Sequence, residues 1–259
     1  MLKIQTLASG SKGNATYIAS NTTHILVDVG LSLPQLLRRM KLANIDPSCI
    51  NAILITHEHG DHISGLTAFL KRFNSVIHIH EDTADIFEQI PQQKIAYFRE
   101  RFQIGDIDVD FFSVPHDSQF CFGYTFQNVN AKIAVTTDLG RITPDILNNL
   151  KKCQIVMLES NHDTVKLSSN TKYPPHLKRR ITSSTGHLSN AATCLAVYEL
   201  AKCNVQQIIL AHLSEQNNSP TLAYGFVRDF LASKGLTEGT DISIDVALQN
   251  EISSVFQID

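Results

Sequence analysis

The chain opens with short apolar runs separated by polar turns: Leu2–Leu7, Ala15–Ala19 and Thr23–Val29, each bounded by Gly, Ser or Asn. This pattern predicts a β-meander. Ser32-Leu33-Pro34-Gln35 then offers an N-cap serine, an early proline and a capping-box glutamine, and Leu33, Leu36, Leu37 and Met40 repeat at i, i+3, i+4 and i+7. A helix with one apolar face is expected there. Ala52–Thr56 is apolar almost throughout, as a strand buried on both faces would be, and leads through a polar loop into an expected helix from Ile63 to Phe73. Val76–His80 reads as a strand and Asp82–Ile90 as a short helix, followed by a second meander at Ile107–Val114, Phe120–Phe126 and Lys132–Thr137. A helix near Pro144–Leu150, a strand at Gln154–Leu158, a long helix from Asn190 to Lys202 capped by Ser189, and a strand at Gln206–Ala211 complete the pattern. On the long helix, Ala191, Cys194, Leu195, Tyr198 and Ala201 are expected to form the core stripe. Strands followed by helices in each half of the chain imply an α/β fold, two sheets packed face to face with helices outside, as a four-layer αββα sandwich.

Composition narrows this picture. At 259 residues, 43% hydrophobic and 18% charged, the chain can bury one substantial core, so a single domain over residues 1–259 is expected. No apolar stretch nears the roughly 20 residues that span a bilayer, and Met1-Leu2-Lys3-Ile4-Gln5 does not start a secretion segment. A cytoplasmic protein without a membrane partner is expected. The five cysteines are odd in number and never paired as Cys-x-x-Cys, which disfavours disulfides and thiolate zinc sites and suggests reduced core residues. The net charge of −3 argues against bulk nucleic-acid coating, but residues 162–180 carry Lys166, Lys172, Lys178, Arg179 and Arg180 against Asp163, a local +4 on a body of −7. Such an island suits an anionic substrate, or is simply a solvated face.

The chemistry is concentrated in His57-Glu58-His59-Gly60-Asp61-His62, straight after the apolar Ala52–Thr56 strand. In an extended segment residues i and i+2 point the same way, so His57 and His59 can converge on one ion while Asp61 and His62 turn to a neighbour. Imidazoles with a carboxylate favour Zn²⁺, Mn²⁺ or Fe over Ca²⁺ or Mg²⁺. The hexapeptide resembles the first metal motif of the metallo-β-lactamase superfamily, whose fold is the αββα sandwich. By that resemblance His116, in Val114-Pro115-His116-Asp117, joins His57 and His59. Asp138, in Thr136-Thr137-Asp138-Leu139-Gly140, bridges two divalent metal ions, and His212, in Leu210-Ala211-His212-Leu213, joins Asp61 and His62. Asp28 matches a position that orients ligands. Paired ions activate water for hydrolysis. Asp138 stands where some antibiotic-degrading members carry cysteine, which argues against a β-lactamase and leaves phosphodiesters and thioesters.

Thr185-Gly186-His187-Leu188-Ser189-Asn190 resembles the glycine-histidine-x-serine element of tRNA 3′-processing phosphodiesterases, which gives His187 a phosphate-binding or general-acid role. Glu159, in Leu158-Glu159-Ser160-Asn161-His162-Asp163, is similar to the acidic partner that raises that histidine's pKa. Asp61, His187 and Glu159 are thus the expected catalytic residues, and Ser11, His162, Lys178, Arg179 and Arg180 the expected substrate contacts. Ser9-Gly10-Ser11-Lys12-Gly13-Asn14, Glu159–Asp163, Gly186–Asn190 and His212–Asn218 together resemble the bacterial WalJ (YycJ) branch, described as double-stranded DNA exonucleases working 5′ to 3′ with a divalent metal; Ser160 departs from the usual alanine. The resemblance implies a nucleic-acid partner, DNA in preference to RNA. The Ser9–Asn14 loop lacks P-loop spacing and reads either as a backbone anion nest or as a plain turn. Two rival readings are a thioesterase of the glyoxalase II kind, which needs neither His187 nor a basic island, and a regulatory protein that retains the fold without activity.

Overall fold

The computed structural model describes residues 1–259. One seven-stranded sheet contains β1 (Leu2–Ala8), β2 (Ala15–Ala19), β3 (His24–Val27), β4 (Ala52–Leu54), β5 (Val76–His80) and β6 (Ile95–Phe98) in sequence order, with β14 (Phe256–Ile258) beside β1. The other runs β13-β12-β11-β10-β9-β8-β7, from β7 (Phe102–Ile104), β8 (Ile107–Ser113), β9 (Phe122–Gln127), β10 (Lys132–Thr136) and β11 (Ile155–Glu159) to β12 (Gln207–Ala211) and β13 (Ser243–Val246). Strands β3 to β6 run parallel, as do β10 to β13. The helices are α1 (Leu33–Leu42), α2 (Gly60–Ile63), α3 (Leu66–Arg72), α4 (Pro144–Leu150), α5 (Thr164–Ser169), α6 (Pro175–Ile181), α7 (Asn190–Ala201) and α8 (Pro220–Ser233).

Strand alternation builds the layers. Ile133 and Val135, Ile155 and Met157, and Ile209 and Ala211 face the other sheet, where they meet Ile25, Val27, Ala52 and Leu54. Their neighbours Ala134, Val156, Leu158, Ile208 and Leu210 face outward against Leu150, Val197 and Val227 of α4, α7 and α8. On the opposite outer face Leu26, Ile53 and Ile77 pack on Leu36 and Met40 of α1 and Phe69 of α3. Central strands with apolar residues on both faces therefore require four layers, which is the αββα sandwich.

Several local expectations need correction. The helix expected from Ile63 to Phe73 is α3, which starts later, at Leu66; Ile63 instead ends the single turn of α2, and the two are separated at Ser64-Gly65, where an added Cβ on Gly65 would lie 2.0 Å from the Leu31 carbonyl oxygen. Asp82–Ile90 holds a 3₁₀ turn over Glu81–Phe87. Ser32 makes no capping bond; its hydroxyl donates to Gln35 Oε1. In α7 the buried face is Thr193, Cys194, Ala196, Val197 and Leu200, while Leu195 is 60% exposed and Ala191 is exposed. That helix is apolar nearly all round, so periodicity alone does not choose its inner face. All five cysteines are free, but Cys49 and Cys203 lie in exposed turns; only Cys121, Cys153 and Cys194 are core residues. No helix is long and apolar enough to cross a membrane.

Candidate metal centre and active-site cleft

The site residues leave the carboxyl ends of strands from both sheets, the edge where parallel strands present their following loops. Asp28 follows β3, His57 and His59 follow β4, His116 follows β8, Asp138 follows β10, Glu159 ends β11 and His212 follows β12. Asp28, Asp138 and His212 have φ of 64°, 58° and 53°. Three non-glycine residues in the left-handed region, each at a strand end of one cluster, mark backbone held in a costly conformation by its surroundings. His59 is extended and immediately precedes α2, so His57 and His59 point the same way, and the turn of α2 brings Asp61 and His62 back toward them.

His57 Nε2 lies 3.0 Å from His59 Nδ1, which lies 3.3 Å from His116 Nε2. Asp61 Oδ2 is 3.6 Å from both His62 Nε2 and His212 Nε2. Asp138 sits between the two groups, with Oδ2 3.2 Å from His62 Nε2, and Oδ1 3.2 Å from His212 Nδ1 and 4.0 Å from His116 Nε2. All seven residues fall into donor groups close enough to hold metal ions. The polar arithmetic agrees: Asp138 Oδ2 and His212 Nε2 are buried without a hydrogen-bond partner. Ring nitrogens converging on one another cannot all be satisfied pairwise, whereas a divalent cation takes every lone pair.

Further contacts fix the ring orientations. Asp28 Oδ2 lies 2.8 Å from His62 Nδ1, and Asp28 Oδ1 accepts from the Thr56 amide at 2.8 Å. The Thr56 hydroxyl is 3.1 Å from His57 Nδ1 and 3.0 Å from His62 Nδ1. With Nδ1 engaged, each ring turns Nε2 to the centre. Asn14 Nδ2 adds a contact to His62 Nε2 at 3.0 Å. Thr56 and Asn14 escape the sequence reading, although both stand inside or beside segments it singles out.

Glu159 is fully buried and its two oxygens divide the work. Oε2 accepts the amides of Leu139 and Leu188, both at 3.0 Å. Oε1 lies 2.8 Å from His187 Nδ1 and 2.9 Å from His212 Nδ1. Burial works against charge on His62, His187 and His212, yet the carboxylates win: Asp28 and Asp138 raise His62 to about 10, Glu159 raises His187, and Asp138 with Asp61 and Glu159 raises His212. Burial also opposes charge on the carboxylates and again loses. His212 and His62 hold Asp138 well below the usual range, and His187 brings Glu159 down to about 2. His57 moves the other way, pushed far down by burial and then by His62.

A cleft of about 160 Å³ opens beside the cluster, lined among others by Ser11, Asp117, Asn161, Tyr173, Arg180 and His187. Arg180 from α6 forms a bidentate pair with Asp117, through Nε to Oδ2 and Nη2 to Oδ1, and Asp117 Oδ1 is 3.4 Å from His116 Nε2. The structure thus brings Ser11, Arg180 and His187 together in one cleft beside the donor cluster. It does not bring the other expected contacts there. His162 is 2% exposed and lies outside the cleft lining, where burial lowers its pKa. Arg179 is exposed on α6, and the Lys178 ammonium donates to the Ser168 carbonyl. The Ser9–Asn14 loop is no anion nest: the amides of Gly10, Lys12, Gly13 and Asn14 are taken by Asn14 Oδ1, Gln249 Oε1, Gly10 O and Asp61 O.

An αββα sandwich with this donor cluster along one edge is the metallo-β-lactamase fold. The chain belongs to the β-lactamase superfamily, whose family model, described as the beta-lactamase superfamily domain, matches residues 23–213. It is 34% identical to the exodeoxyribonuclease YycJ of Bacillus anthracis over 94% of each chain. It is 32% identical to the exodeoxyribonuclease WalJ of Streptococcus pneumoniae over 93% of each. Among solved structures, the metallo-β-lactamase fold protein YhfI from Bacillus subtilis superposes with a TM-score of 0.72 over 97% of this chain and 98% of that one; at 13% identity this speaks for the fold alone.

Proposed function

We propose that the protein is a phosphodiester hydrolase dependent on two divalent metals, Zn²⁺ or Mn²⁺ with Fe as a further candidate, that acts as a 5′ to 3′ exonuclease on double-stranded DNA. The observation that carries this reading is the Glu159–His187 pair at 2.8 Å, set in the wall of a cleft that also holds Arg180 and adjoins the donor cluster. A thioesterase needs neither group. Metal bound by His57, His59 and His116, by Asp61, His62 and His212, and by Asp138 between them would supply an activated water and polarise the phosphate.

The chain's own residues account for the remaining requirements. Glu159 accepts from His187 Nδ1, which leaves Nε2 to the cleft, and its charge favours the imidazolium form that can donate a proton to a leaving oxygen. Arg180 offers a planar fork matched to two phosphate oxygens once it releases Asp117. Both curated relatives are exodeoxyribonucleases aligned over almost their whole length, which supports DNA as the polymer. We read residues 1–259 as one hydrolase domain, because β13 and β14 extend one sheet each. Free cysteines suit a reducing compartment, which supports a cytoplasmic location.

The test is to incubate metal-loaded protein with end-labelled single- and double-stranded DNA and RNA. Stepwise release of nucleotides from duplex DNA is expected, and His187→Ala should cut the rate by about 10²–10⁴-fold with metal content unchanged. Full activity in that variant removes His187 from the reaction, and intact DNA with wild-type protein ends the nuclease reading.

A further inference from the structure

Beyond the cleft lies a second cavity of about 220 Å³ that nothing in the reaction described above uses. The two compartments meet at Ser214, which lines both. Their chemistry differs. The first holds the Arg180 guanidinium and His187, groups suited to phosphate. The second is walled by Leu213, Ala247, Leu248 and Pro220, with the hydroxyls of Ser9, Ser214 and Ser219 and the carboxamides of Asn218 and Gln249 at intervals. Its one charged residue, Glu215, is already paired with Lys12 at 2.6 Å. An apolar cavity with a few placed polar groups and no unpaired charge suits a neutral ring system and gives a phosphate nothing to pair with.

The hydroxyls point to the kind of ring. Ser9 Oγ accepts the His212 amide at 2.8 Å, Ser214 Oγ the Asn217 amide at 3.2 Å, and Ser219 Oγ the Leu222 amide at 3.2 Å. Each keeps its O–H proton to donate. Donors set among apolar walls match the carbonyl and ring-nitrogen acceptors that a nucleobase presents. The wall is also fixed in place, since Gln249 accepts from the Lys12 amide at 2.8 Å and donates to the Gly13 carbonyl at 3.0 Å. An added Cβ on Gly10 would lie 2.5 Å from Gln249 Oε1, so the loop fits against Gln249 without room to spare.

We infer that this cavity is a nucleobase subsite, which seats the base of the nucleotide whose phosphate lies against His187 and Arg180. The inference rests on the phosphodiesterase reading and adds to it a site that selects nucleoside esters over simple ones.

Two substrates sharing reaction and leaving group separate the claims: thymidine 5′-(4-nitrophenyl phosphate), which carries a base, and methyl 4-nitrophenyl phosphate, which does not. The wild-type metalloenzyme should prefer the nucleoside ester in kcat/KM. Leu248→Trp, which fills the cavity, and Pro220→Trp, placed on its exposed rim where folding is least at risk, should each lower the ratio of the two kcat/KM values by about tenfold or more. A ratio unaltered in both variants, or a wild-type enzyme that treats the esters alike, overturns the subsite. Failure of the wild type to hydrolyse either ester counts instead against the phosphodiesterase reading.

Discussion

A single buried carboxylate ties three loops of the site together. Glu159 Oε2 holds the amides that follow Asp138 and His187, while Oε1 faces the imidazoles of His187 and His212. Glu159→Gln supplies only one acceptor oxygen for these donors and removes the charge, so buried donors are left unmatched, at a cost on the order of 3 kcal/mol near pH 6. The pH dependence has a definite sign. Glu159 titrates at about 2 in the folded protein against 4.5 normally, so its contribution is whole above pH 4.5 and disappears as pH falls toward 2. Urea midpoints of chelator-treated wild type and Glu159→Gln should therefore converge between pH 4.5 and 2.5. Parallel midpoints over that range would show that the charge of Glu159 is not what stabilises. Asp28 is a second buried carboxylate that orients a ring of the cluster, through its 2.8 Å contact with His62 Nδ1. Its family position is readable from Leu26-Val27-Asp28-Val29-Gly30, whereas the Thr56 hydroxyl between two imidazoles is not. A threonine ending an apolar strand is ordinary until the structure places His57 and His62 around it.

At the scale of elements, the segment between β11 and α7 forms much of the cleft wall, through Tyr173, Leu177, Arg180 and His187. Its α6 presents Arg180 to the cleft, Arg179 to solvent and Lys178 to the Ser168 carbonyl. Charge in this segment should thus act unevenly. Arg180→Gln should account for most of the loss in DNA affinity, and the Lys178→Gln/Arg179→Gln/Arg180→Gln triple variant should flatten the plot of log K against log salt by about 1 to 3, near 0.9 for each phosphate contact removed. Fluorescence anisotropy with a duplex oligonucleotide across a salt series measures this; a slope equal to that of wild type moves the DNA path elsewhere. The sequence displays the central elements well, because strands buried on two faces and capped helices write strong patterns. The edges are harder to read: β6, β7, β13 and β14 are three or four residues each, too short for alternation to register. Helix α8 goes unpredicted despite a readable signal, a Ser219 cap, Pro220 at its first position, and buried Ala223, Val227 and Leu231 four residues apart.

For the molecule as a whole, the donor cluster joins the two sheets outside their apolar interface, as the bond from the Tyr124 hydroxyl to the Ile55 carbonyl also does. His57, His59, Asp61 and His62 follow the first sheet, and His116, Asp138 and His212 the second. Metal held by both sets would link the sheets in the native state and find no comparable site in the unfolded chain, and would therefore stabilise by mass action. The inter-sheet core is continuous and fully buried, running from Ile4 and Ile25 to Tyr124 and Met157, so the fold should survive without metal. The expected loss is substantial: with free metal 100-fold above Kd each site contributes about 2.7 kcal/mol and the two together about 5.4 kcal/mol, which for a chain of this size corresponds to a Tm lower by about 10–20 °C after chelation. Asp138→Asn, which removes the charge between the two ligand groups, should start near the chelated value and respond little to chelator. Elemental analysis of the wild type should count two metals per chain. A wild-type protein that carries neither metal and melts at one temperature with and without chelator would leave the strained backbone at Asp138 and His212 without a purpose, and the hydrolase assignment with it.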